Sequence, residues 1–398
     1  MMAEHQVTIT GGSSVLGQHL IKQIQKQASH ITRICLLEHQ CYRQGFVEVV
    51  AGSVTSYDDI LFATHNSQTV LHLATTRDRR MFVDMEPCEA VNVTGTMNVI
   101  KACKRNGVKN LIFVSSIDVL IGYKDIINGT DRHTTYPKKH LFPDSVTRCI
   151  AEKAVLAANE YNILHTLVIR PVTMYGELDN RYLASMLRLA LANYGELLCV
   201  GDFSCKTQLA YLGNVAHAII CAERTLREDP ALCAGKSYII TDDTPADNPF
   251  DIIKPLLRRY GFFVTTWSVP EKYAKAMMVV LKVILWLLSP FIAYNPHFSY
   301  ELVHYLCHTY TFSDKRARRE LGYQPIYPTA NSWQRTFAYF DEKFKVALVD
   351  FLSKNVIGQT GHTATMLQLN TLKKNISVKQ IDPTRYRWAW QVACLKLF

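Results

Sequence analysis

Several small groups of residues in this chain have types and spacings that could do chemistry. Gly11 and Gly17 bracket a turn rich in glycine and serine, "TGGSSVLG". Between a strand and a helix, such a turn offers backbone N–H groups to a pyrophosphate. Gly11 makes the tight turn and Gly17 lets the helix approach the sheet. Glu38 closes the next β-rich run. A carboxylate about 20 residues beyond the glycines accepts from a ribose 2′-OH and repels a 2′-phosphate, so NAD(H) is preferred over NADP(H). Ser115 and Ser116 end a further apolar run with two hydroxyls. Asp144 and Arg148 stand one helical turn apart at the head of "DSVTRCIAEKAVLAAN".

Those residues need a scaffold that gathers them. "VTIT" (7–10) reads as a strand, and "QHLIKQIQKQ" after it as a helix with Leu20, Ile21 and Ile24 on one face. "RICLLE" (33–38), "VEVVAG" (47–52), "TVLHLA" (69–74) and "NLIFVSS" (110–116) read as further strands. "EAVNVTGTMNVIKACKRNG" (89–107) reads as a helix that ends at Gly107. Repeated βαβ units imply an α/β, Rossmann-type, doubly wound parallel sheet. A ligand then belongs at the carboxyl ends of the strands, where Gly11, Ala74 and Ser115–Ser116 fall. A glycine turn alone could be an ordinary strand–helix turn; the repeated alternation gives it weight.

At 398 residues the chain can hold two or three average domains, or one large α/β domain with an appendage. With 48% hydrophobic and 20% charged residues it is expected to fold around a sizeable core. The 11 cysteines include no CxxC pair, which fits free thiols in a reducing compartment and predicts no metal site. "MMAEHQ" is polar and runs straight into "VTIT", so no signal peptide is expected and the sequons at Asn92, Asn128 and Asn375 read as chance matches. The net charge of +10 is dispersed and not interleaved with aromatics. That disfavours nucleic acid and suits an anionic membrane surface.

In order and spacing, "TGGSSVLG", "VNVTGTMNVIKAC", "VSSIDVLIGYKDIINGT", "AEKAVLAAN", "IRPVTMYGE", "YLGNVAHA", "YIITDDTP" and "TFSDKRARRELGYQPIY" resemble the 3β-hydroxysteroid dehydrogenase/Δ5–Δ4 isomerase family of extended short-chain dehydrogenases/reductases. The resemblance covers about residues 5–345. It implies hydride exchange between NAD and the 3-hydroxyl of a steroid or sterol, followed by double-bond migration. By the same resemblance Gly11, Ser14, Gly17, Glu38 and Ala74 hold the cofactor. Arg170 and Pro171 line the nicotinamide side, and Ser115 or Ser116 hydrogen-bonds the substrate oxygen. A membrane-associated protein follows, at the cytosolic face of the endoplasmic reticulum or in the cytoplasm, with a homodimer allowed.

Four positions depart from the family pattern. The family's catalytic tyrosine should lie seven residues before Ala151, and its lysine four further on; Asp144 and Arg148 stand there. Taking hydride from an alcohol carbon requires a base for the hydroxyl proton. A phenol serves when a nearby ammonium lowers its pKa from about 10. An aspartate of ordinary pKa, about 3.9, is ionised at neutral pH, cannot donate, and reaches less far. Beside Arg148 it is expected to be held ionised more firmly. Ser14 replaces the second fingerprint glycine, and Ser53 the acidic residue that meets the adenine. Tyr136 in "TTYPKKHLF" is the nearby alternative phenol, but it lies in a proline-containing loop ahead of the helix.

The sequence divides into a nucleotide-binding domain (5–177), a smaller substrate lobe (178–345) and a C-terminal extension (346–398) that reads as disordered or loosely docked. Within the lobe, "AMMVVLKVILWLLSPFIAY" (276–294) carries one charge, Lys282, and one proline, Pro290. It reads as a helix contacting a membrane surface, with the lid of a sterol pocket and plain core as alternatives. The extension ends in Arg385, Arg387, Trp388 and Trp390, a membrane-surface anchor in the sharper reading. Two functions follow: an NAD-dependent steroid oxidoreductase using an altered route, or an impaired paralogue that binds sterol, cofactor or a partner protein.

Overall fold

The computed structural model describes residues 5–38, 42–44 and 47–356. The basic-aromatic end, with Arg385, Arg387, Trp388 and Trp390, lies outside the described residues, as do Asn375 and most of the extension.

The strands in chain order are β1 (Gln6–Thr10), β2 (Arg33–Glu38), β3 (Tyr42–Gln44), β4 (Val47–Ala51), β5 (Thr69–His72), β6 (Asn110–Val114), β7 (Ile126–Gly129), β8 (His165–Pro171), β9 (Thr173–Tyr175), β10 (Glu196–Val200), β11 (Leu209–Tyr211), β12 (Lys236–Ile240), β13 (Phe263–Val269) and β14 (Tyr310–Phe312). The main sheet has the order β12-β8-β6-β5-β1-β2-β4-β3, parallel throughout except for the antiparallel edge strand β3. The central strands β1, β5, β6 and β8 are buried on both faces, as parallel strands must be when helices cover each side. Along β6, Ile112 and Val114 join one core cluster while Leu111 and Phe113 join the other. This is the expected doubly wound sheet, and the strand order reverses between β1 and β5.

The first helix, Val15–Gln27, buries Leu16, Leu20 and Ile24 at four-residue spacing. The helix expected over 89–107 is two pieces. Glu89–Gly95 is wound as a π-helix, and Thr96–Asn106 continues as an α-helix that ends at Gly107 in the left-handed region. The π turn places Asn92, fully buried, against Thr76 and Thr147, so this sequon residue is a structural hydrogen bonder.

Several elements from beyond residue 177 return to the nucleotide half. Strand β12 pairs with β8, β14 pairs with β7, and the Leu212–Glu228 helix packs on Val15–Gln27. Much of the remainder, with the small parallel pairs β10–β13 and β11–β9, packs around a core of its own.

The hydrophobic run is a helix over Glu271–Leu288, of which only Ala274 and Met278 are buried. Trp286 is 64% exposed, Leu287 60% and Phe291, just beyond, 85%, which removes the core reading. No helix among the described residues is long and apolar enough to cross a membrane. The last described helix, Thr329–Val356, runs through the boundary drawn at residue 345.

Candidate active site

Gly11, Ala74 and Ser115 follow the C-terminal ends of β1, β5 and β6, and Glu38 ends β2 in register with Ala51. The structure therefore brings the expected nucleotide residues to one rim, at the switch point where crevices form in doubly wound sheets. Gly11 has φ +73°, and a Cβ on it would lie 2.7 Å from the Ala74 nitrogen. A Cβ on Gly17 would lie 2.4 Å from the Gly12 carbonyl oxygen and 2.6 Å from that of Gly11. Contact requires a glycine at both positions, and at Gly11 the backbone conformation requires one too.

Ser14, expected to crowd a pyrophosphate, caps the first helix. Its Oγ accepts from the Gly17 N–H at 3.1 Å. One of the amide donors at the helix N-terminus is thereby used, and the others stay available to an anion. Ser53 donates its N–H to Asp59 at 2.9 Å and pairs its hydroxyl with Thr55. Beneath the turn, His72 bridges Thr10 (2.6 Å) and Thr96 (2.9 Å), and burial pushes its pKa down to about 3, so it is a neutral structural imidazole.

The positions expected to transfer a proton lie on the Asp144–Ala157 helix, whose inward stripe is charged: Asp144, Arg148 and Glu152, each four residues from the last, are all buried. An inward stripe of this kind must find opposite charges on its neighbours. Asp144, 0% exposed, lies 3.3 Å from the Arg79 Nε, so its ion-pair partner is Arg79, where the sequence suggested Arg148. Arg148 is drawn away because Asp118 sits opposite it, 3.7 Å from its Nη1.

Asp118 gathers three guanidiniums. Arg79 Nη2 donates to it at 2.6 Å, and Arg77 reaches it at 3.9 Å. Burial alone would raise the Asp118 carboxyl, but Arg79, Arg77 and Arg148 hold it well below the usual range. Burial and the neighbouring Arg77 draw Arg79 down to about 10, opposed by Asp118 and Asp144, so it stays charged at neutral pH. Its guanidinium also covers the Phe142 ring at 3.4 Å.

Ser116 caps the short 3₁₀ turn after β6 by accepting from the Asp118 N–H at 3.2 Å. Ser115 is buried and its Oγ has no hydrogen-bond partner, so its hydroxyl, unlike that of Ser116, is not used as a cap. Arg170, expected beside a nicotinamide, is committed elsewhere. It donates through Nε to Glu152 at 2.9 Å and through Nη2 to Glu152 and to the Tyr136 hydroxyl. Pro171 ends β8 opposite Ile240. Tyr136 itself donates to Glu152 at 2.7 Å. Burial and Glu152 push its phenol well above its ordinary value, the opposite of what a rescuing base needs.

Asp118, Arg79 and Glu152 are the site residues missed in the sequence. Asp118 carried a visible signal, two residues after the serine pair. Arg79 sits in an irregular loop and had none. Two His/carboxylate clusters also occur among the described residues, His5–His30–Glu223 and Glu271–His304–His308. Each already holds a side-chain cation: Arg227 lies 3.4 Å from Glu223, and Lys275 lies 2.7 Å from His304 Nδ1.

A family model described as the 3-beta hydroxysteroid dehydrogenase/isomerase family matches residues 8–270. Solved structures share the fold at low identity. UDP-glucose 4-epimerase of Thermus thermophilus, in complex with NAD, is 17% identical with a TM-score of 0.61, covering 84% of this chain and 98% of its own. dTDP-glucose 4,6-dehydratase of Bacillus anthracis str. Ames, also with NAD, is 14% identical with a TM-score of 0.61, covering 85% and 97%. The epimerase Mth375 of Methanothermobacter thermautotrophicus is 16% identical with a TM-score of 0.64, covering 87% and 94%.

Proposed function

The chain belongs to the 3-beta hydroxysteroid dehydrogenase/isomerase family, and from that premise we propose that it is an NAD-dependent oxidoreductase acting on a steroid or sterol oxygen held at Ser115. The observation that carries this reading is the shared rim: the Gly11–Ala74 contact at the switch point, with the buried, unpartnered Ser115 hydroxyl two strands away. The residues present fit NAD. The amides around Gly11 and Gly17 would hold the pyrophosphate, and Glu38 the ribose 2′-OH. When bound, NAD supplies the hydride acceptor for an alcohol carbon. Ser115 would donate to the substrate oxygen. Asp144 would be the proton acceptor, shielded from water by its complete burial.

A carboxylate already engaged by Arg79 replaces a phenol activated by an ammonium. Proton transfer by this route is expected to run about 10²- to 10⁴-fold below a phenol-based site. The Asp144 geometry also favours a second reading, a paralogue that binds cofactor and sterol with little turnover. The exposed apolar side of Glu271–Leu288 supports a membrane-surface role, because contiguous apolar surface of this kind marks interaction sites. A substrate dissolved in lipid would reach the second lobe from there.

Thermal unfolding with each nucleotide tests the cofactor assignment. At a hundred times its dissociation constant, NADH should stabilise by about 2.7 kcal/mol, and NADPH by much less because Glu38 opposes the 2′-phosphate. Equal shifts, or none, would overturn it.

A further inference from the structure

At the end of the sheet opposite the nucleotide rim, His5, His30 and Glu223 converge from three elements. His5 immediately precedes β1, His30 lies in the turn before β2, and Glu223 is on the Leu212–Glu228 helix. The His5 Nε2 stands 3.1 Å from Glu223 Oε1, and the His30 Nε2 stands 2.9 Å from Glu223 Oε2. Two imidazoles thus engage both oxygens of one buried carboxylate. Burial alone would raise the Glu223 pKa, but His5 and His30 hold it below the usual range.

The arrangement is fixed by the backbone. The His5 N–H donates to Thr32 Oγ1 at 2.9 Å, and the Thr32 N–H donates back to the His5 carbonyl at 3.0 Å, which ties His5 to the turn that carries His30. The helix carrying Glu223 packs on Val15–Gln27, the helix that leads into that turn. Arg227 is the cation nearby. Its Nε lies 3.4 Å from Glu223 Oε1 but is buried without a hydrogen-bond partner, while its Nη2 donates to Glu228 at 2.9 Å. The other histidine cluster differs, because there Lys275 donates to His304 Nδ1 at 2.7 Å and also pairs with Glu271, so an ammonium already sits among the ligand atoms.

We propose that His5, His30 and Glu223 form a site for a divalent cation of the zinc type, with water completing its shell. Their three ligand atoms all lie within 4.8 Å of one another. Donors around a tetrahedral zinc at about 2.0–2.1 Å stand about 3.3 Å apart, close to the nitrogen–oxygen separations found here. Two imidazoles with a carboxylate suit zinc, whereas magnesium takes oxygen donors and keeps its waters. Each imidazole would move its proton from Nε2 to Nδ1 and offer the Nε2 lone pair, so the ion replaces the two N–H donors that Glu223 now uses. The His30 side chain is 32% exposed, which leaves an entry from solvent. The bound ion would pin the first strand of the sheet to a helix of the second half. Cysteine spacing carries no sign of such a site, because its ligands are two histidines and a glutamate distant in the chain.

The test uses the full chain, stripped with a chelator and titrated with cobalt(II) as a spectroscopic stand-in for zinc. Cobalt should give the visible absorption of a tetrahedral site, which stoichiometric zinc abolishes, and zinc should raise Tm where magnesium does not. His30→Gln should weaken binding by more than the 10- to 100-fold, roughly, that losing an outer-shell partner costs. It leaves Glu223 its His5 and Arg227 partners, so the variant should still fold, and its Tm without metal is the control. Arg227→Gln, which removes a competing positive charge and no ligand, should bind at least as tightly as wild type. Absent cobalt absorption, or equal Tm shifts with zinc and magnesium, would overturn the proposal. So would a His30→Gln chain that binds cobalt like wild type, since the ion would then sit elsewhere in the chain. NADH binding should be the same with and without zinc, because Gly11 lies at the other end of β1; an ion that abolishes it would overturn the assignment to this remote site.

Discussion

Glu152→Gln removes one charge from the buried triad that holds β8 to the Asp144–Ala157 helix. Glu152 is 0% exposed and Arg170 4%. Glu152 Oε1 accepts from Tyr136 at 2.7 Å and from Arg170 Nε at 2.9 Å. Glutamine keeps the shape and an acceptor oxygen, but it leaves the Arg170 charge buried. The other nearby carboxyl is Asp131, which burial pushes up to about 6 despite Arg170. Removing one partner of a buried pair costs about 3–5 kcal/mol, and retention of the hydrogen bonds places glutamine near about 3 kcal/mol. At about 1.2 °C per kcal/mol for a chain of 398 residues, calorimetry should show a Tm loss of about 4 °C. Glu152→Ala, which also strands the Tyr136 hydroxyl, should lose more. Replacing the pair together, Glu152→Leu with Arg170→Met, should recover most of the loss, because well-packed apolar pairs often match buried ion pairs. A Tm change of a degree or less for Glu152→Gln, or a double variant worse than either single one, would refute the reasoning.

Gly17→Ala should abolish NADH binding and lower stability, since its Cβ would meet the Gly12 and Gly11 carbonyl oxygens at 2.4 and 2.6 Å; a variant that binds NADH like wild type contradicts the tight helix–turn packing. His304 has its pKa lowered to about 4 by burial, with His308 and Lys275 adding to the effect. A histidine depressed from 6.5 contributes stability above pH 6.5 that disappears as the pH falls to about 4. His304→Gln should therefore shrink the difference in Tm between pH 7.5 and pH 4.5, and an unchanged difference would refute the assignment. Replacing Trp286, Leu287 and Phe291 with Ser should abolish co-sedimentation with anionic vesicles while leaving Tm nearly unchanged, because all three are exposed; undiminished sedimentation would exclude that face as the contact.

What could be read in the sequence follows from locality. Strand ends and glycine contacts are set by neighbours, so βα alternation alone brings Gly11, Glu38, Ala74 and Ser115 to one rim. Ser115 and Ser116 could not be told apart until the 3₁₀ turn after β6 used the second as a cap. The partners of the charged stripe were hidden because they arrive over long separations: Arg79 is 65 residues from Asp144, in a loop without periodicity. The same holds for Arg170, whose type suggested a cofactor wall while Glu152 and Tyr136 hold it in the interior. Strand β12 and the Leu212–Glu228 helix follow local patterns found in any lobe, and only sheet pairing returns them to the nucleotide half.

The central claim is an NAD-dependent oxidoreductase whose carboxylate at position 144 has taken the place of a phenol. It is tested most directly by NADH formation from NAD and a 3β-hydroxy-5-ene steroid, comparing wild type, Asp144→Asn, and Asp144→Tyr combined with Arg148→Lys. The account predicts slow wild-type turnover that Asp144→Asn abolishes, with the double variant faster by up to about 10²- to 10⁴-fold. Wild-type turnover that survives Asp144→Asn unchanged, or no NADH from any of the three despite bound cofactor, would contradict it.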